Sequence, residues 1–420
     1  MRILAVVDSD SYVKWGAAVL AASPADWDRS MVLLQTPVAP SGGQLAAALG
    51  GSGYSDADVA RVSLAALADL VRTTAPDVVF LSLRGPVAVV VFRALDALPG
   101  VRPVYLTGLP GISVPATRKA IRYRSWSDLF LLGSKREIRE FDALAAELET
   151  PMEFALSTLP FVAQLVPPEG VEEGSGAVPS SVIFAAQAIV PRERSDRLML
   201  LGWLRQLALR HRSLTVVIKV RAVAGEAQTH EEADSFPDLL GELPDVPPNL
   251  VVASGPMSRH LDGAAGLVTV SSTAALEAVA RGVPVIVLDD FGVGPEQINE
   301  VFIGSGLLAG SDALMDAAFR TVDAGWLDDN YFHPGDDNTW TQRLLDLVAD
   351  RSAGRLPDPV RVPARGGRLR EVWDRKHAFG RLDRTVSGRL IVLVWLPART
   401  VVRALRQVIR WSNDLGTKRS

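Results

Sequence analysis

The sequence predicts an α/β protein in which two Rossmann-like parallel-sheet domains face each other across a cleft, followed by a basic C-terminal helical tail. Three observations carry this. Short apolar, β-branched runs alternate with amphipathic stretches at the spacing of right-handed βαβ units. The series is broken once, at Pro167-Pro168-Glu169-Gly170-Val171-Glu172-Glu173-Gly174-Ser175-Gly176, and then resumes with a new apolar strand. At 420 residues, 48% of them hydrophobic, the chain is too long for one ordinary core and suits two. The expected organisation is a first domain at 1–166, a linker at 167–179, a second domain at 180–350 and an extension at 351–420.

In the first domain, Ile3 to Val7 is a strand, Asp8-Ser9-Asp10-Ser11 a loop, and Tyr12 to Ala22 a helix. Met31 to Gln35 is the next strand, and 36–58 is a loop around a short helix. An amphipathic helix follows from Asp58 to Thr73, then a strand at Val78 to Ser82. The turn Leu83-Arg84-Gly85-Pro86 opens a helix from Val87 to Ala97. Arg102 to Thr107 is a strand ending at Gly108-Leu109-Pro110-Gly111, and Leu129 to Leu132 another, with Gly133-Ser134 opening a helix from Lys135 to Leu148. Ligands of parallel sheets meet the loops beyond the strand C-termini. That singles out Asp8, Asp10, Arg84, Gly85, Gly108, Gly111, Ser113 and Thr117. The stretch 118–128, RKAIRYRSWSD, adds Arg122 and Arg124 among Tyr123 and Trp126. It reads either as a basic groove for a phosphate-bearing acceptor or as a solvated helix face. It is too short and isolated to argue for nucleic acid.

The second series opens with the strand Val182 to Ala186, ended by Gln187, and a helix from Asp196 to Arg210. The strand Leu214 to Lys219 brings Lys219 and Arg221 to a strand end, where two cations suit a diphosphate leaving group. His230 follows in a polar loop, as a phosphate or sugar ligand or as a surface residue. After a strand at Asn249 to Ser254 and a short helix at Met257 to Leu261 comes GLVTVSSTAALEAVARGVPVIVLDDFGVGPEQIN, residues 266–299. Leu267 to Val270 is a strand, and Ser271-Ser272-Thr273 puts three hydroxyls at the start of the helix Ala274 to Arg281. Gly282 stops that helix, and Val283 to Leu288 is the next strand. A helix opening beyond a parallel strand offers unpaired N–H groups and a dipole to an anion; the alternative is that the hydroxyls only cap it. Further helices are expected at Ser311 to Val322 and Asn338 to Ala349, with a polar loop around His333-Pro334 between them.

The order of Ser-Ser-Thr turn, small-residue helix carrying Glu277, Gly-Val-Pro, strand, and then Gln297 and Asn299 in a following helix resembles the donor domain of GT-B glycosyltransferases. It is most similar to the branch holding CDP-glycerol glycerophosphotransferases and bacterial polysialyl- and Kdo-transferases, and overall to actinobacterial glycosyltransferases. The resemblance implies an enzyme in which Ser271, Ser272 and Thr273 hold donor phosphates, with Gln187, His230, Glu277, Gln297 and Asn299 around the donor. Lys219 and Arg221 would stabilise the leaving nucleotide; a Lys-x-His-Pro element of the relatives is altered here, with Arg221 in the place of its His. Such a transferase needs a base for the acceptor hydroxyl, for which Asp8 and Asp10 are the candidates, while Arg84, Gly108, Gly111, Arg122 and Arg124 would hold the acceptor. It generally needs no bound metal, and no cofactor beyond the nucleotide-sugar donor is expected.

Charge and composition bound the setting. The chain has no cysteine, which excludes disulfides and thiolate metal sites. Its start, MRILAVVDSD, reads as a strand rather than a targeting segment, and no apolar run is long enough to span a bilayer. Residues 361–420 hold 15 Lys/Arg against 4 Asp/Glu, a surplus of +11 on a body of −15. Within them, 386–411 places Arg399, Arg403, Arg406 and Arg410 around an apolar helix face with Trp411, the pattern of a helix lying on an anionic membrane. The expected function is sugar transfer from a nucleotide-activated donor to a cell-envelope glycan or lipid-linked acceptor, in the cytoplasm and peripheral to the membrane. Alternatives are a polyol-phosphate transferase, a UDP-sugar 2-epimerase and a non-catalytic scaffold in polysaccharide export.

Overall fold

Two sheets organise the chain, and every pairing between their strands is parallel. The computed structural model describes residues 1–159, 162, 180–220, 234–358 and 367–391. The expected linker at 167–179, Arg221, His230 and all of the basic tail beyond 391 lie outside the described residues.

The first sheet contains β1 (Arg2–Val7), β2 (Asp28–Leu34), β3 (Val59–Val62), β4 (Val78–Ser82), β5 (Val104–Gly108), β6 (Leu129–Leu132) and β7 (Phe154–Leu156), in the order 3-2-1-4-5-6-7. The second contains β8 (Ser181–Ala185), β9 (Thr215–Lys219), β10 (Leu250–Ala253), β11 (Ala264–Thr269), β12 (Val285–Leu288) and β13 (Leu308–Ala309), in the order 10-9-8-11-12-13. Strands buried on both faces need apolar residues throughout, and β1, β4, β6 and β12 supply them with almost no polar interruption. In the first half, helices α1 (Asp10–Ala21), α2 (Gly42–Leu49), α3 (Leu64–Thr74), α4 (Gly85–Asp96), α5 (Arg118–Arg124) and α6 (Lys135–Glu147) connect the strands. In the second, these are α7 (Arg194–Arg210), α8 (Phe236–Gly241), α9 (Met257–Leu261), α10 (Ala274–Ala280), α11 (Ser311–Met315) and α12 (Ala324–Leu327). Two Rossmann-like domains of one plan result.

The chain then crosses back. Helix α13 (Trp340–Ser352) buries Trp340, Leu344 and Leu347 in the first domain's core beside Ile3, Leu20 and Trp27. Trp340 meets Trp27 edge to face, with ring centroids 6.2 Å apart. Helix α14 (Gly367–Phe379) follows on the opposite face, where Ala378 and Phe379 join the core under α4. A third apolar cluster spans the two halves: Val114 and Leu159 of the first pack with Leu276, Phe302, Trp326 and Tyr331.

Several local expectations are corrected. The helix expected from Asp58 begins only at Leu64, because Val59–Val62 adds to the sheet edge beside β2. The helix expected over 311–322 ends at Met315; Ala317 turns left-handed at φ 52°, and Phe319 lies where any side chain on Gly266 would stand. Gln297 and Asn299 stand in a loop with a single 3₁₀ turn after it, not in a helix. Trp126, expected on an exposed patch, is 8% exposed.

Because α13 fills the first core, Trp340→Ala should lower the unfolding free energy by about 3–5 kcal/mol, as large aromatic truncations in cores do. Urea denaturation of the variant against the parent chain checks this; a midpoint within error of the parent's would show that α13 is dispensable.

Candidate functional site

In an open parallel sheet, a crevice forms at the strand C-termini where the strand order reverses. The first sheet reverses between β1 and β4, and the second between β8 and β11. Asp8 and Arg84 follow β1 and β4; Gln187 and Ser271 follow β8 and β11. Two contacts bring these edges together. Gly111, at φ 109°, approaches Thr273 so closely that a Cβ there would stand 2.9 Å from Thr273 Cγ2. Lys14 Nζ of α1 lies 4.0 Å from Glu277 Oε1 of α10, whose side chain is only 13% exposed. Gly111 and Thr273, both singled out by the sequence, and the α1 and α10 starts around Lys14 and Glu277 therefore meet between the two domains.

On the second domain's side, the hydroxyl turn is locked by its own hydrogen bonds. Gln187 Nε2 donates to Ser271 O, and Ser271 Oγ donates to Ile298 O. Ser272 Oγ accepts from Ala274 N at 3.2 Å. Two of the three hydroxyls thus brace the turn, as a cap does, while Thr273 makes no capping bond and faces Gly111. Ile298 is a β-branched residue at φ 58°, a strained conformation that the Ser271 bond helps to hold. The amide oxygens Gln187 Oε1 and Gln297 Oε1 are buried with no partner among the described residues. Lys219 ends β9, the neighbour of β8, and is 9% exposed. Asn299 is placed differently from expectation. It is fully buried, accepting from Gly294 N at 3.0 Å and donating to Gly292 O at 3.1 Å, so it shapes the Gly-rich turn instead of facing a ligand.

The first domain's side corrects more of the expected roles. Asp8 is fully buried; its Oδ1 accepts from Arg84 N at 3.1 Å and its Oδ2 from Arg84 Nε at 2.7 Å. Burial pushes its carboxyl above the ordinary range, opposed by the Arg84 charge and hydrogen bonds. A carboxylate so enclosed does not reach an acceptor hydroxyl. Asp10 is exposed in the first turn of α1. Arg124, expected in an open groove, is 2% exposed; it donates to Gly108 O, Leu83 O and Tyr12 Oη and lies over the Phe130 ring. Arg122, two residues earlier on the other side of the helix, is exposed. Gly108 has no room for a ligand at its Cα, since Trp15 covers it.

Glu137 was not singled out by sequence. It is 1% exposed, and its Oε1 accepts from Ser113 N at 2.6 Å and Tyr331 Oη at 2.5 Å, its Oε2 from Gly133 N at 2.8 Å. This carboxyl ties the Gly108–Ser113 loop to the segment returning from the second domain. Burial pushes it up to about 7 despite the three hydrogen bonds. The Ser134-x-x-Glu137 spacing was the available signal, since it matches a capping box; Ser134 Oγ does accept from Glu137 N at 3.0 Å, but the carboxylate turns to Gly133. Around it, α6 grips the other half through Lys135 with Asp328 and Arg139 with Asp329. A polar groove of about 490 Å³ between α6 and 303–330 is lined by Arg136, Arg139, Glu140, Trp326, Asp329 and Asn330. It contains none of the expected site residues.

The raised Glu137 group means that the folded chain holds a proton that the unfolded chain has already lost between its ordinary value of 4.5 and about 7. Its contribution to stability is therefore full below that window and is lost as pH rises through it. Unfolding free energies measured from about pH 5 to about pH 8 should show this fall. Glu137→Gln should flatten it, and an unchanged slope in the variant would remove Glu137 from the account.

Comparison with known proteins agrees with the fold. A family model described as "Putative glycosyltransferase (DUF6716)" matches residues 3–347. No curated protein sequence matches the chain. Among solved structures, a putative UDP-N-acetylglucosamine 2-epimerase from Listeria monocytogenes is similar, at 11% identity and a TM-score of 0.53, covering 86% of this chain and 98% of that one. The Methanocaldococcus jannaschii UDP-GlcNAc 2-epimerase in complex with UDP-GlcNAc and UDP is similar at 11% identity and a TM-score of 0.52, covering 82% and 99%. At such identities the likeness extends to the two-domain GT-B architecture alone.

Proposed function

The chain belongs to the family described as "Putative glycosyltransferase (DUF6716)", and from that premise we propose that it moves a sugar from a nucleotide-activated donor to a cell-envelope glycan or lipid-linked acceptor. The observation that carries this reading is the contact of the two order-reversal crevices through Gly111 with Thr273 and Lys14 with Glu277. The second-domain crevice takes the donor. Its phosphates lie against the Ser271-Ser272-Thr273 turn, with Lys219 and, by sequence, Arg221 supplying positive charge and His230 a phosphate or sugar contact. Gln187 and Gln297, whose buried amide oxygens have no partner among the described residues, border the donor, and Glu277 orients a hydroxyl. Asp10 is the base toward the acceptor, which Arg84, Gly111 and Arg122 border. No bound metal takes part in this scheme, because fixed cations and turn amides stabilise the departing phosphate. The UDP and UDP-GlcNAc held by the Methanocaldococcus structure support a nucleotide-sugar as the donor.

A 2-epimerase is the second reading, favoured by the likeness in fold to two such enzymes. Incubation with a panel of nucleotide sugars separates the possibilities. Nucleotide release with an acceptor present supports transfer, a changed sugar without release supports epimerisation, and binding without either supports a scaffold. Ser272→Ala together with Lys219→Ala should abolish nucleotide binding by calorimetry while the thermal midpoint stays near the parent's. Unchanged affinity would refute the donor site. Asp10→Asn should lower kcat by roughly 10²–10⁴-fold with KM little changed, as loss of a general base does.

The proposed setting is the cytoplasm, peripheral on an anionic membrane through 386–411, with nucleic acid not a partner. No helix among the described residues is long and apolar enough to cross a membrane. Leu369, Leu382, Val386 and Leu390 are 75%, 45%, 72% and 56% exposed beside Arg368, Arg381, Arg384 and Arg389, which supports surface binding. Flotation on vesicles containing phosphatidylglycerol should depend on residues 361–420; equal flotation of the full and shortened chains would count against it.

A further inference from the structure

We propose that Arg84, held in place by Asp8, is an oxyanion hook, so that the molecule entering the first-domain crevice carries a phosphate or carboxylate group. This rests on the reading of the cleft as a transfer site and names the chemistry of its acceptor. Three observations support it. Asp8 occupies both carboxylate oxygens with one residue, taking Arg84 N at 3.1 Å and Arg84 Nε at 2.7 Å. Arg84 Nη2 is tied again, to Thr36 Oγ1 at 3.3 Å, and the side chain remains 26% exposed. The guanidinium is thus fixed before any ligand arrives, which removes the ordering cost of capturing an anion. Nη1 has no partner among the described residues.

The second observation is a second buried guanidinium. Arg124 is 2% exposed close to Asp8, and its own partners are two carbonyls, a tyrosine hydroxyl and a phenyl ring, none of them anionic. Two guanidinium charges therefore share one carboxylate at the floor of the crevice. Of the other charged groups nearby, Asp10 is exposed on α1 and Lys14 is engaged with Glu277. A second guanidinium close to the same carboxylate adds to the pull of Arg84 on an anion, and in a half-buried site that pull is larger than in water. The third observation is position. The pair stands between β1 and β4, where the strand order reverses, one strand from β5, whose loop carries Gly111 to Thr273. An anion on Arg84 would hold the rest of its molecule beside the donor turn.

Titration calorimetry with sodium phosphate and with sodium acetate, at constant ionic strength and with UDP saturating the donor crevice, tests this. Asp8→Asn with Arg84→Gln removes both charges of the pair without leaving a buried unpaired carboxylate. It should weaken anion binding by at least tenfold, and wild-type affinity in that variant would overturn the proposal. Asp8→Asn alone discriminates positioning from bulk charge. It makes the crevice more positive, so unchanged or tighter binding would overturn the role of Asp8, whereas several-fold weaker binding supports it. If the double variant fails to fold, Arg84→Lys keeps the ion pair but loses the planar fork and should still weaken binding several-fold. Binding of phosphate but not acetate marks a phosphorylated acceptor, and the reverse a carboxylated one. No binding of either ion to the wild-type chain overturns the hook. UDP binding is read in the same samples. Its absence would sink the donor site while leaving the Arg84 comparison intact, since that is repeated on the Lys219→Ala chain without UDP.

Discussion

Parallel pairing is the constraint on which the rest of this structure depends. It sends all strands of a sheet toward one edge, so the loops after β1, β4 and β5 cannot avoid each other, nor can those after β8 and β11. Reversal of the strand order then opens one gap on each edge. Nothing in this forces the two gaps to meet. That is done by the apolar cluster in which Val114 and Leu159 share a core with Phe302, Trp326 and Tyr331, and by α13, which returns the chain to the domain where it began.

The polar contacts across the halves have a different role. Pairs such as Arg139 with Asp329 are largely exposed and contribute little to stability. Glu137 is the opposite case: enclosed, satisfied by three donors, and costly to keep charged. An apolar residue there would cost less in desolvation but would leave the N–H groups of Ser113 and Gly133 without this acceptor. The carboxylate therefore fixes the geometry of the loop that meets Thr273.

The sheets were legible because buried parallel strands demand apolar runs, and the Ser271 turn because hydroxyls at a helix start have a local signature. What failed was anything decided by partners distant in sequence. Val59–Val62 reads as the start of a helix until β2 offers its free edge. Arg124 reads as a surface cation because nothing nearby in sequence discloses the carbonyls of Gly108 and Leu83 that receive it. Asn299 is a separate, local case: it looks like a ligand contact, yet both arms of its amide close on the Gly-rich turn five and seven residues before it. Periodicity tells which face is buried; it does not tell whether a polar group on that face has been met from across the fold.

The two candidate carboxylates show how the structure separates roles that sequence left merged. Asp8 and Asp10 lie two residues apart beyond the same strand, and either could be the base by position. Helix α1 begins between them, so Asp8 stays under the sheet edge while Asp10 is carried into solvent. A base must accept a proton from a mobile ligand, which requires access; Asp8 is fully buried, with Arg84 against both of its oxygens. What Asp8 can do is hold a guanidinium still. Of two candidates that sequence left equal, Asp8 is suited to positioning, and Asp10 is the one left as candidate base.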